Sequence, residues 1–158
     1  MSADSIESTA TTPPTQPERR FTVAGPIRGK GRPRFARCGK FTRTYSDSKT
    51  VSYENWIRAC YLQAHPGAPL IPRDQPVYVH IAALFPVPKS WSKKRQAATM
   101  YHLGKPDGDN VLKAVCDSLN GIAWVDDSCV GEAIVRKYMS MEGAVGLSVK
   151  IGFLGGKS

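Results

Sequence analysis

Lys105-Pro106-Asp107-Gly108-Asp109-Asn110-Val111-Leu112-Lys113, running on to Leu119, reads as a charged loop that passes into an amphipathic helix. Leu112, Val115, Cys116 and Leu119 recur at i, i+3, i+4 and i+7, which predicts a helix from about Asn110 to Leu119. Asn120-Gly121 is its stop, because both residues tolerate the left-handed backbone. Pro106 sits at the approach, where a missing N–H does little harm. Asp109, Lys113 and Asp117 are four apart and share a face away from the apolar stripe. Asp107 lies in the loop just before, so Asp107 and Asp109 meet at the helix N-terminus, where the helix dipole favours negative charge.

Working outward, Ile122 to Val125 carries the chain back to Asp126-Asp127. Adjacent acids on a strand point to opposite faces, so one of the pair reaches the motif while the other caps, supports it from behind or faces water. Asp107, Asp109, Asp126 and Asp127 are four of the thirteen acidic residues of a chain whose formal net charge is +9. A basic protein that gathers carboxylates in one place is set up to hold a cation. Mg²⁺ takes one or two carboxylates together with substrate phosphate. The expectation is a metal site that acts on a phosphodiester. Two acids spaced as D-x-D could equally be helix caps, but Asn110, Lys113 and the second acidic pair strengthen the metal reading.

The 158 residues suffice for one domain with a proper core. A pI near 9.6 implies a polyanionic partner, either nucleic acid or an acidic membrane surface. No apolar run approaches the roughly 18 to 20 residues that span a bilayer, and the N-terminus lacks the pattern of a signal peptide. Cys38, Cys60, Cys116 and Cys129 are scattered without a C-x-x-C pair, which argues against a zinc cluster and for free thiols in a reducing cytoplasm.

In chain order, residues 1–18 are too poor in large apolar side chains to offset chain entropy and read as a disordered leader. One domain is expected over 19–154, with 155–158 a flexible end. Phe21 to Ala24 is a strand signal. Arg28, Lys30, Arg32, Arg34, Arg37, Lys40 and Arg43 then place seven cations in sixteen positions, with Phe35, Phe41 and Tyr45 between them. Glycine and proline make this a loop, and guanidinium forks with interleaved rings suit a nucleic-acid backbone.

Ser48 to about His65 reads as a helix with a stripe of Tyr53, Trp56/Ile57, Cys60 and Ala64. Val77, Val79, Ile81, Ala83 and Phe85 alternate as a strand with one buried face, which puts His80 on the other. Ser92 is the expected cap of a short helix, and Lys89, Lys93 and Lys94 form a second basic cluster beside Arg95. Val130 to Met139 and Val145 to Phe153 predict an antiparallel hairpin turning at Glu142-Gly143. Glu132 reads as a surface strand residue within reach of a ligand role.

Lys105-Pro-Asp-x-Asp-Asn-x-x-Lys113, Asp117-x-Leu-Asn-Gly121 and Trp124-x-Asp-Asp127 together closely resemble the RusA family of Holliday-junction resolvases. Gly29 to Phe35 and Phe85 to Ser92 resemble that family's other recurring stretches, so the likeness covers nearly all of residues 21–154. It implies a homodimeric, Mg²⁺-dependent endonuclease, with Mn²⁺ as a substitute, that resolves four-way DNA junctions by paired symmetric nicks. Such proteins are common in phages and prophages, which implies the cytoplasm of a bacterial or phage-infected cell. By motif position, Asp107, Asp109 and Asp127 are the implied metal-binding carboxylates and Lys113 the essential basic residue, with Asp126, Asn110 and Asp117 behind them. Gly108 departs from the pattern, standing where the family carries a bulky aliphatic residue.

The fold class expected is α+β, a small mixed or antiparallel sheet with two or three packed helices. Two other functions fit the same residues: a broader flap- or fork-specific nuclease, and a non-catalytic basic DNA-binding protein.

Overall fold

The computed structural model describes residues 16–31, 34–45 and 48–155. The elements follow as β1 (Arg19–Ala24), β2 (Arg34–Cys38), β3 (Phe41–Tyr45), α1 (Ser48–Ala64), β4 (Val77–Pro86), α2 (Lys93–Ala98), α3 (Gly108–Leu119), β5 (Val130–Ser140) and β6 (Gly146–Phe153). A 3₁₀ turn over Asp127–Cys129 leads into β5. The α+β expectation holds: a mixed sheet of four strands packs with helices, and β2–β3 form a separate two-stranded sheet.

Alternation builds the sheet. Val77, Val79, Ile81, Ala83 and Phe85 of β4 are all buried, and they meet Val149 and Ile151 of β6 and Phe21 and Val23 of β1 in one core. The sheet order is β1-β6-β4-β5. β6 runs antiparallel to both β1 and β4, whereas β4 and β5 are parallel. The expected hairpin of the last two strands does not form. β5 and β6 flank β4 on opposite sides, because both are apolar enough to compete for it and the central strand has two edges to offer. Parallel partners need a long crossover, and that crossover contains α2 and α3.

Helix α1 spans the expected residues, but its inward stripe is Thr50, Tyr53, Glu54, Ile57 and Tyr61. Trp56 is 47% exposed, held at the surface by an indole N–H donated to the Ala24 carbonyl at 2.9 Å. The buried Glu54 is explained by Lys30, whose ammonium bonds to it and lies 3.2 Å from Asp117 of α3.

Part of the expected basic loop is the β2–β3 hairpin, which turns at Gly39-Lys40 with Gly39 at φ +61°. The segment before it is pressed onto two helices. The Lys30 N–H donates to the Asn110 carbonyl at 3.1 Å. A side chain at Gly29 would place its Cβ 2.7 Å from the Pro106 Cβ, and one at Gly31 would meet Thr50 Oγ1 at 2.8 Å. Close approach to α1 and α3 therefore explains these two glycines better than loop flexibility does.

Burial opposes the charge on Lys30, but hydrogen bonds to Glu54 and Asp117 more than offset this and raise its pKa. A raised pKa means that the stabilisation is complete at neutral pH and fades only as pH climbs through that elevated value. Lys30→Met should lower the unfolding free energy by about 2–3 kcal/mol, since it strands the Glu54 carboxylate. Urea denaturation at neutral pH measures this, and an unchanged midpoint would remove Lys30 as the pin of the loop.

Candidate active site

Helix α3 turns Val111, Val115 and Leu119 into the core and leaves Asp109 and Lys113 exposed. It starts at Gly108, two residues before the expected boundary, with Asp107 as N-cap. A Cβ on Gly108 would touch Val135 Cγ1 of β5 at an ordinary 3.8 Å, so the missing aliphatic side chain leaves room there and no distortion. Gly121, at φ +79°, ends the helix as expected, while Asn120 stays at φ −61° and accepts the Trp124 indole N–H at 2.8 Å.

That bond is one of three that place the second acidic pair. The Ile71 N–H donates to the Ala123 carbonyl at 2.9 Å, and the Val125 N–H donates back to the Ile71 carbonyl at 3.0 Å. With Trp124 fully buried between them, the chain leaves toward β5 in a fixed direction. The two acids then diverge. Asp126 caps the 3₁₀ turn, accepting the Ser128 N–H at 3.4 Å, and hydrogen bonding from Ser128 lowers its pKa. Asp127 instead lines a cleft of about 410 Å³ between α3 and the start of β5, together with Asp109, Lys113, Cys116 and Glu132.

The remaining expected ligands do not all join it. The Asp107 carboxylate makes no capping bond. It accepts from Lys105 Nζ at 2.6 Å, and this bond chiefly lowers its pKa. Asp117 is drawn toward Lys30. Among the described residues, no three His, Cys, Asp or Glu side chains converge closely enough to hold a metal ion. Of the expected trio, Asp109 and Asp127 line one cleft, while Asp107 lies beside it at the helix N-terminus, bonded to Lys105. Lys113 has no carboxylate within 4.0 Å among the described residues, so the helical salt bridge to Asp109 is absent there.

Burial pushes the Cys116 thiol up to about 12, with nearby Asp127 and Asp117 adding to the shift. It stays a neutral thiol at physiological pH and is unsuited to metal binding or nucleophilic attack. His102 stacks on Phe85 with centroids 3.9 Å apart.

The cations expected to meet nucleic acid fall into two groups. Arg28, Arg37, Lys40, Lys89, Lys93 and Lys94 are exposed, and the Arg95 guanidinium sits 3.9 Å over the Trp91 ring. Lys30 leaves this set, because its ammonium is taken by Glu54 and Asp117. Arg32 lies outside the described residues, as do the side chains of Arg34 and Arg43.

Two further residues lie near the site: Glu132, which the sequence offered as a possible ligand, and Lys137, which it did not single out for the site. Glu132 reaches the cleft while bonding His80 at 3.0 Å. Lys137 turns its ammonium onto the loop before Asp107. Neither belongs to a local motif. The register that brings them near exists only once β5 pairs with β4.

Comparison with known proteins matches residues 24–151 to the family described as Endodeoxyribonuclease RusA. A Bacillus subtilis (strain 168) protein described as "Uncharacterized protein YqaN" is 30% identical over 138 residues, covering 83% of this chain and 94% of that protein. The family match takes in the cleft, the acidic motif, strands β4 and β5 and most of β6, and the chain belongs to the RusA endodeoxyribonuclease family.

Proposed function

We propose that this chain is a divalent-cation-dependent endonuclease that resolves four-way DNA junctions in recombination and repair, acting as a homodimer. The observation that carries the reading is the shared cleft of Asp109, Lys113 and Asp127, residues up to 18 positions apart in the chain. Two carboxylates lining an open cleft suit Mg²⁺, which keeps several waters and takes one or two carboxylates plus phosphate oxygens. When bound, the ion would acidify a coordinated water and neutralise charge on the phosphate.

The chain's own residues supply the rest. Asp109 and Asp127 are the proposed ligands, and Mn²⁺ would fit the same oxygen donors. Lys113 is free of carboxylates within 4.0 Å among the described residues, so its ammonium can meet the scissile phosphate and stabilise charge as it grows. Asp107 can join once substrate phosphate competes for Lys105. Exposed Arg28, Arg37, Lys40, Lys89, Lys93 and Lys94 would bind the DNA backbone without reading its sequence.

Two nicks placed symmetrically across a junction call for two sites related by a two-fold axis, which a C₂ dimer provides. No helix among the described residues is long and apolar enough to cross a membrane, and the net positive charge suits a polyanion.

Asp109→Asn and Asp127→Asn should each retain junction binding and lose cleavage by about a hundredfold or more, and Lys113→Met should lose about 10²–10³-fold in rate. Gel-shift and cleavage assays on the same preparations separate the two steps, and parental cleavage by any of the three would contradict its assigned role. Incubation with Mg²⁺ and labelled four-way junction, flap and duplex should give paired nicks on the junction. Equal cutting of flaps would select the broader nuclease, and no cutting of any substrate would select the DNA-binding protein.

A further inference from the structure

The loop that delivers Lys105 and Asp107 is held from behind by a single side chain on β5. Lys137 Nζ donates to the Gly104 carbonyl and to the Pro106 carbonyl, both at 2.8 Å. The carbonyl between them, that of Lys105, lies 3.2 Å from His102 Nε2. The His102 ring stacks on Phe85, and the Lys137 ammonium lies 5.9 Å from the same Phe85 ring. The backbone closes the arrangement, with the His102 N–H donating to the Lys137 carbonyl at 2.9 Å and the Met139 N–H to the Met100 carbonyl at 2.8 Å. Three consecutive carbonyls thus turn toward two side chains, and the same loop carries Lys105, whose exposed ammonium bonds Asp107.

We propose that Lys137 is a positioning residue for the catalytic centre: its ammonium fixes residues 104–106 and so sets where the Asp107 carboxylate stands relative to Asp109 and Asp127. Converging carbonyl dipoles with no donor would repel one another and draw in water, so a cation with several N–H groups is the natural partner. A neutral side chain of the same length would leave two carbonyls unpaired. The loop would then open away from β5, and Asp107 would lose its fixed approach. Lys137 reaches the backbone and needs no contact with substrate. Its effect is exerted through Asp107, so the proposal rests on the reading of Asp107 as a carboxylate of the site.

The test compares Lys137→Met, Lys137→Gln and Lys137→Arg with Asp107→Asn. Two readouts beyond rate are used: hydrogen exchange of the backbone amides from Gly104 to Asn110, and the Mg²⁺ concentration for half-maximal junction cleavage. Lys137→Met should speed exchange in that segment and raise the half-maximal Mg²⁺ about tenfold, in line with the loss of an outer-layer partner at a metal site. Lys137→Gln, which keeps a shorter, neutral amide donor, should fall between, and guards against a methionine variant that does not fold. Lys137→Arg, with several donors, should return both readouts close to the parent.

A Lys137→Gln or Lys137→Met protein with parental exchange in 104–110 and a parental Mg²⁺ requirement overturns the proposal, even if its melting temperature drops. Parental cleavage by Asp107→Asn overturns instead the reading on which the proposal rests.

Discussion

Parallel pairing of β4 with β5 is the constraint on which the rest of the molecule depends. A strand cannot turn directly into a parallel neighbour, so the chain between Pro86 and Val130 must travel the length of the sheet and return. That path produces α2, the edge segment 100–102, α3 and the 3₁₀ turn, and with them nearly every residue proposed to act in chemistry. Helix α3 comes to lie beside β5, near enough that a side chain at Gly108 would be in van der Waals contact with Val135. The same pairing brings the start of β5, and therefore Asp127, alongside the Lys113 face of the helix.

A second layer of restraint comes from charge. Lys30 ties the loop after β1 to both α1 and α3 through Glu54 and Asp117. Lys105 holds Asp107 at the mouth of α3. In a chain with nine excess positive charges, most cations face solvent, and these few are distinguished by carboxylates or carbonyls waiting for them. This division matters for nucleic-acid binding. Removing an exposed cation such as Lys93 should weaken binding through counterion release alone, whereas removing Lys30 disturbs the scaffold first.

What could be read from the sequence follows from how local each signal is. β4 announces itself by alternation, α3 by its apolar stripe and its Gly121 stop, and α2 by Ser92, because each depends on residues within a turn or two. The central acidic motif was legible for the same reason, as was the separation of Asp126 from Asp127, though not which of them enters the cleft. Non-local choices were not legible. Nothing in Val130–Met139 says that it prefers β4 to the strand that follows it. The burial of Glu54 depends on a lysine 24 residues earlier in the chain. The bond from Lys105 to Asp107 lies outside any periodic signal, and the placement of Glu132 and Lys137 depends on sheet register.

Asp109 and Asp127 are proposed to share a divalent cation in the cleft between α3 and β5. The most direct measurement is an anomalous difference map from crystals of the protein soaked in Mn²⁺. A peak is expected between the Asp109 and Asp127 carboxylates that disappears in Asp127→Asn. A Mn²⁺ peak bound elsewhere on the chain, or one that survives that substitution unchanged, would contradict it.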